Sequence, residues 1–379
     1  MNPKFQPLFQ PYTFNNGVTV PNRLVVAPMT HWASHEDGSL SADERLFLQE
    51  RFRGFGLFVS AATLVSPEGK AFSGQPAAMG EQDLPSLRAI AALAHEQGAK
   101  ALLQLHHGGL KAVPELLHGA AVVAPSGDTG GARALDGAEI QALVVAFARA
   151  ADLALRAGFD GVEIHGANQY LLQQFYSAAT NRRQDAWGGS REARMRFPLA
   201  VADAVLAVRA QHQRPDFIVG YRFSPEEPGE FGLTMQDSFA LIDALAQRPL
   251  QYLHVSLWDF YKTARRGADP ARTRIEQLHA HLNSRLSLIG VGNLRSAEDA
   301  LAAYQTGWAE FIALGKAVML NPDWAEWVQD GREQDIVTEL DPQRADRYRI
   351  PPLLWSRCLE GMDWLPPLKG NRDWRPRDI

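Results

Sequence analysis

Residues 158–170 read GFDGVEIHGANQY, and this stretch decides the fold. Gly158 closes a long alanine-rich pattern of helical spacing over Gly137–Ala157, because glycine adopts the left-handed conformation that ends a helix at no steric cost. A short apolar run, Gly161–His165, follows and reads as a buried strand. Side chains alternate faces along a strand, so Glu163 and His165 share one face. The turn G-A-N-Q-Y then leads into another helix and can aim the imidazole of His165, the amide of Asn168 and the phenol of Tyr170 at one small volume. A strand that is apolar on one side and carries a carboxylate and an imidazole on the other suits the interior of a barrel, where chemistry collects at the C-terminal ends of the strands.

Seven further runs of the same kind flank this one: Leu24–Pro28, Leu57–Thr63, Ala101–Leu105, Phe217–Phe223, Tyr252–Leu257, Leu286–Val291 and Phe311–Leu314. The gaps hold helices, most clearly at Leu84–Gln97 (stopped by Gly98), Gly137–Ala157 and Arg191–Gln211. Four starts pair a side-chain acceptor with an acid three residues on: Ser41/Glu44, Asp136/Glu139, Thr234/Asp237 and Ser296/Asp299. Each pairing satisfies an orphan amide and places negative charge at the positive end of a helix. Near-continuous apolar strands alternating with helices imply a parallel sheet covered by helices, and eight units favour a (β/α)8 TIM barrel in the α/β class. A doubly wound dinucleotide fold needs a G-x-G-x-x-G where an early strand meets a helix, and none occurs. The expected organisation is a single barrel over residues 1–340 with a C-terminal extension, residues 341–379, rich in Trp, Pro and Arg.

The chain has 379 residues, 46% hydrophobic and 21% charged, enough for a sizeable core. Its 38 basic and 43 acidic residues leave a net charge of -5 with no basic block, which argues against nucleic acid as a partner. The single cysteine, Cys358, permits no intramolecular disulfide, iron–sulfur cluster or multi-cysteine metal site. The first residues lack a cationic start followed by an apolar run, and no stretch approaches ~18 uninterrupted apolar residues. A cytoplasmic protein with no membrane contact is expected, and the Trp-bearing tail leaves room for a homo-oligomer.

Polar residues at the strand ends need an explanation in such a fold. Thr30 follows the first strand, Gln104 and His106 end the third on one face, and Arg222 ends the fifth. Glu163 reads equally as a paired buried acid or a working group, and Arg222 as a salt-bridge partner or a cation for an anionic ligand edge. The last two strands end in Gly290-Val291-Gly292-Asn293 and Gly315-Lys316, where a barrel of this kind binds phosphate. Together these positions imply a phosphorylated ligand across the barrel mouth, with Gln104 and Arg222 at its other end.

These residues stand in stretches that resemble the old yellow enzyme family of FMN-dependent ene-reductases, in particular the bacterial NADH-dependent flavin oxidoreductases. The matching stretches are NRLVVAPMT (22–30), LLQLHHGG (102–109), GFDGVEIHGANQYLLQQFYS (158–177), NRRQDAWGGSREARMRFP (181–198), YRFSPEE (221–227), VGNLRS (291–296) and LGKAVMLNPDW (314–324). The resemblance implies an FMN cofactor with NADH or NADPH as electron donor, and a small activated alkene as substrate. It implies that Pro28, Met29 and Thr30 line one edge of the isoalloxazine, with a backbone contact from Ala62. Gln104 would meet the pyrimidine edge, Arg222 the N1 and C2-carbonyl side, and Gly292, Gly315 and Lys316 the phosphate. His165 and Asn168 would donate to the substrate carbonyl, and Tyr170 would be the proton donor. No metal is implied.

Three positions depart from common forms of the family: Asn168 stands where many bacterial relatives have a second histidine, Thr30 where some have a flavin-tuning cysteine, and Lys316 where many have arginine. Two other readings compete: a barrel lyase or isomerase of a phosphorylated metabolite, with His165 as base and Glu163 or Lys316 nearby, and a flavin-binding protein without turnover. The first gives no joint role to Gln104 and Arg222.

Overall fold

The computed structural model describes residues 1–127 and 131–377. Eight parallel strands close on themselves: β1 (Leu24–Val26), β2 (Leu57–Val59), β3 (Lys100–His106), β4 (Gly161–Gly166), β5 (Ile218–Phe223), β6 (Tyr252–Val255), β7 (Ser287–Gly290) and β8 (Phe311–Leu314). Each pairs with its successor, and β8 pairs with β1 through Ile312–Leu24 and Leu314–Val26. The architecture is the (β/α)8 barrel expected from the strand count. The second strand is interrupted, however: Leu57–Val59 and Thr63–Leu64 pair with β3, Ser60 keeps its amide bond to the Leu102 carbonyl (2.9 Å), and the chain leaves the ladder at Ala61–Ala62.

Helices α1 (Ala42–Leu48), α2 (Leu84–Glu96), α3 (Gly137–Ala157), α4 (Arg191–Gln211), α5 (Met235–Ala246), α6 (Arg274–Leu282) and α7 (Ala297–Gln305) link consecutive strands, and α8 (Lys316–Leu320) follows β8. All four capping pairs read from the sequence are formed. The Ser41, Asp136, Thr234 and Ser296 side chains accept from the amides of Glu44, Glu139, Asp237 and Asp299, and the last three are reciprocal boxes. Gly158 ends α3 at φ 93°.

Strand parity sorts the barrel interior into an apolar floor and a polar roof. Val25, Leu57, Leu102, Ile218, Tyr252, Ile289 and Phe311 fill the end where the strands begin. A hairpin that the sequence pattern did not signal, Tyr12–Thr13 against Thr19–Val20, closes that end, with Phe14 stacked on Phe311 at 5.3 Å. Two to four residues further along, the same inward parity brings Gln104, Glu163, Arg222, His254 and Ser256, all buried, to the other end. Water is thus excluded from below, and every polar group above must find its partner in the protein or in a ligand.

Arg51 fastens the C-terminal segment to this barrel. Its fully buried guanidinium donates to the carbonyls of Phe47, Val318 (2.9 Å), Met319 (3.3 Å), Tyr348 and Arg349 (2.8 Å). Burial pushes its pKa down to about 9, with Arg349 adding repulsion. One side chain thereby ties α8, at the mouth, to residues 348–349. Replacing Arg51 by leucine strands these carbonyls, and unmade hydrogen bonds to a buried charged group cost roughly 1.5–3 kcal/mol each before relaxation. Urea unfolding of Arg51→Leu should show a loss of about 3 kcal/mol or more; a loss under about 1 kcal/mol would contradict the clamp.

Candidate active site

The register of the strands builds the site. Gln104 lies beside Glu163, and Glu163 beside Gly220, which in turn neighbours Tyr252. A Cβ on Gly220 would sit 2.1 Å from the Tyr252 ring, so the missing side chain lets Tyr252 lean across β5 and donate to Glu163 Oε2 at 3.1 Å. The same oxygen meets His254 Nδ1 at 2.8 Å, while Oε1 accepts from Gln104 Nε2 at 2.7 Å. Burial alone would raise the Glu163 pKa, but His254, Arg222 and Gln104 outweigh it and hold the carboxyl below its ordinary value. The ionised carboxylate only accepts, so His254 must carry its proton on Nδ1, and Gln104 must turn its NH2 group downward. The Gln104 carbonyl oxygen is left as an acceptor for whatever lies above. Glu163 is fully engaged and is not available as a base.

One register step higher, Arg222 lies between His165 and His254. Its Nη2 donates to Ser256 Oγ at 3.0 Å, and its buried Nε has no hydrogen-bond partner among the described residues. His165 is held by the Ala167 amide, which donates to its Nδ1 at 3.3 Å and so leaves the ring proton on Nε2 as the donor. Burial, with His106 and Arg222 adding to it, pushes the His165 pKa well below its ordinary value, so the ring is neutral at physiological pH. Tyr170 packs edge-on against His165 at 5.2 Å and His106 at 4.4 Å. Burial raises its pKa and Arg222 only partly opposes this, so the phenol keeps its proton at neutral pH. Asn168 and Gln169 both adopt left-handed backbone, φ 57° and 62°. This costs energy for a non-glycine residue and is maintained by bonds from the Asn168 amide to Ser224 Oγ and from Lys111 Nζ to the Asn168 carbonyl.

These groups edge a mouth cavity of about 320 Å3. Of the residues singled out from the sequence, Pro28, Met29, Thr30, Asn168, Tyr170, Arg222, Gly292, Gly315 and Lys316 line it. His165 and Gln104 are buried at its edge, joined to it through Tyr170 and through the Glu163–Arg222 neighbourhood. Ala62 lies in the bend of the interrupted strand; its carbonyl accepts from Gln75, whose amide also meets His106 Nδ1 at 2.9 Å. Gly292 has φ 145°, and a Cβ there would fall 2.5 Å from the Phe260 nitrogen, so only glycine fits. Burial, then repulsion from Arg295, push the Lys316 amine down to about 8.

The C-terminal segment supplies part of the wall. Trp364, Leu365 and Arg377 line the cavity, Trp364 packs on Trp32 at 5.3 Å, and Arg377 is paired with Asp363 at 3.0 Å. The Trp374 ring lies 5.4 Å from Lys316 Nζ and 5.6 Å from the Arg295 guanidinium. Neither these residues nor Ser256, His254 and Trp258 were identified from the sequence. Ser256 and His254 were legible in principle, since Tyr252, His254 and Ser256 repeat the period-two spacing that exposed Glu163 and His165.

A closed (β/α)8 barrel whose mouth has an acceptor and a cation at one end and a glycine turn with Lys316 at the other suits a phosphorylated ring ligand. The chain belongs to the NADH:flavin oxidoreductase / NADH oxidase family, whose model matches residues 7–335, and is of the FMN-dependent old yellow enzyme type. It is 46% identical to the probable NADH-dependent flavin oxidoreductase YqiG of Bacillus subtilis (strain 168), over 97% of this chain and 99% of that one. It is 36% identical to the NADH:fumarate oxidoreductase of Klebsiella pneumoniae (strain 342) over 93% of this chain, but over only 39% of that longer protein. Among solved structures, morphinone reductase in complex with tetrahydroNAD matches with a TM-score of 0.75 and 29% identity, covering 91% of this chain and 97% of that one.

The donor set fits FMN on three observations. The free Gln104 oxygen complements an imide N–H, the unpartnered Arg222 Nε complements an electron-rich ring edge, and the paired cations Lys316 and Arg295 at a glycine turn complement a phosphate. A lysine with a pKa near 8 is charged below that pH and neutral above it, and phosphate binds the charged form. FMN affinity, followed by quenching of flavin fluorescence, should therefore be nearly constant below about pH 7, begin to fall as the pH passes about 8 and weaken further towards about pH 9.5. Lys316→Met should bind more weakly with that slope removed; an unchanged slope in the variant would assign it to another group.

Proposed function

We propose that this NAD(P)H-dependent flavin oxidoreductase is an ene-reductase that works by a ping-pong cycle on α,β-unsaturated carbonyl compounds and related activated alkenes. The observation that carries the reading is a neutral imidazole, its Nδ1 taken by the Ala167 amide, packed against a protonated phenol that lines the cavity together with Asn168. When bound, FMN would take hydride from NADH or NADPH, which then leaves, and pass it to the alkene bound in the same place.

In this reading Gln104 and Arg222 would hold the pyrimidine side of the cofactor, Pro28, Met29, Thr30 and Ala62 its other edges, and Gly292, Gly315 and Lys316 its phosphate. His165 Nε2–H and the Asn168 amide donate to the substrate carbonyl oxygen and draw charge towards it, which makes the β-carbon electrophilic. A preorganised donor of this kind contributes about 3 kcal/mol to a transition state that gathers charge on oxygen. Tyr170 delivers a proton to the α-carbon; its raised pKa keeps that proton in place until charge develops on the substrate. The neutral state of His165 matters as well, because a charged ring beside Arg222 would oppose that cation. Thr30 and Lys316 keep the cavity free of a redox-active thiol and of a bidentate guanidinium at those two positions.

Tyr170→Phe separates the two halves of such a cycle. Stopped-flow absorbance should show flavin reduction by NAD(P)H within about threefold of the parent enzyme, and reoxidation by 2-cyclohexen-1-one slowed about 10²-fold or more. Equal losses in both half-reactions would remove Tyr170 from proton delivery.

A further inference from the structure

We propose that Ser256 is a positioning residue that fixes which end of the Asn168 amide a substrate meets; the inference rests on the donor role given to Asn168 above. Ser256 is buried just beyond β6, between two groups of the mouth. Arg222 Nη2 donates to its Oγ at 3.0 Å, and its Oγ lies 2.8 Å from Asn168 Oδ1. The polarity of this relay is set by where the serine proton can go. A guanidinium has no acceptor, so the Arg222–Ser256 bond uses a serine lone pair. A second lone pair could accept from an inverted Asn168 amide, but the hydroxyl proton would then have no acceptor among the described residues; directed to Asn168 Oδ1, it leaves both groups satisfied. The Asn168 oxygen is thereby occupied, and the NH2 group is the end left to a ligand.

This constraint has a use that backbone restraint cannot supply. The left-handed turn at Asn168 fixes where the amide is, through Ser224 and Lys111, but an amide rotated by half a turn occupies the same space. The flipped form presents lone pairs to a carbonyl oxygen and repels it. The relay starts at the same arginine that faces the cofactor edge in the proposed arrangement, so one cation sets both ends of the site.

The test uses the FMN-loaded enzyme with Ser256→Ala, Ser256→Thr, Asn168→Ala and the Ser256→Ala/Asn168→Ala double variant. Three quantities are read: the Kd of cyclohexanone, a carbonyl probe with no alkene to reduce, from the flavin absorbance change; KM and kcat for 2-cyclohexen-1-one; and the Kd of FMN. Ser256→Ala should raise the cyclohexanone Kd and the enone KM about tenfold, the size of one properly aligned hydrogen bond. Ser256→Thr, which keeps the hydroxyl, should stay within about threefold of the parent, and FMN affinity should change less than about twofold in both. In the Asn168→Ala background, Ser256→Ala should add less than about twofold. The proposal is overturned if the loss persists undiminished in that background, or if it appears in FMN affinity and not in ketone affinity, since Ser256 would then act through Arg222 alone. It is also overturned if Asn168→Ala weakens ketone binding while Ser256→Ala does not, an outcome that leaves the donor role of Asn168 intact. A silent Asn168→Ala removes the donor role and this inference together.

Discussion

A carboxylate buried in the centre of the barrel sets the direction of the hydrogen bonds above it. Glu163 has no access to water, and its ionised state is affordable only because Gln104, Tyr252 and His254 all turn donors towards it. A group that only accepts leaves its partners no choice of orientation. Gln104 must present its oxygen upward, and Arg222, close enough to lower the Glu163 pKa, stays in place as the compensating cation. Such a network is worth more as a fixed orientation than as stability, since replacing buried ion pairs by apolar residues is often nearly neutral in energy.

From that layer the rest of the mouth follows by strand register. Arg222 lies one step above Gly220 and feeds the relay through Ser256 to Asn168. His165 is turned by the Ala167 amide and Tyr170 rests on its ring. Each of these side chains is therefore held in one protonation state and one orientation, in or beside the cavity, before a ligand arrives. Preorganisation of this kind is what allows a few neutral donors to act on a developing charge without reorganising. The floor of apolar side chains, sealed by Phe14, keeps the local dielectric low enough for the donors to count.

The architecture was legible because its signals are local. Apolar runs, terminating glycines such as Gly158 and capping pairs such as Asp136/Glu139 depend on neighbours in the chain, and they placed all eight strands. The cluster of His165, Asn168 and Tyr170 was legible for the same reason, being contained in one turn. What escaped the sequence depends on register between distant segments. Nothing in the residues around Ser256 says that it bridges Arg222 and Asn168, and nothing around Gly220 says that it makes room for Tyr252. The break at Ala61–Ala62 and the hairpin under the barrel are likewise products of closure. The roles given to Pro28 and Ala62 come from the resemblance alone. The tail lay outside both kinds of signal: Arg51, 297 residues before Tyr348, fastens it, and short stretches of Trp and Pro carry no periodicity.

The central claim is that electrons pass from a nicotinamide to an alkene at this one mouth, and an anaerobic titration of the FMN-loaded protein measures it most directly. The account predicts that one equivalent of NADH or NADPH bleaches the yellow absorbance and that 2-cyclohexen-1-one, added without oxygen, restores it. A protein that takes up no FMN, or one that stays bleached in the enone and recovers only in air, would contradict the account.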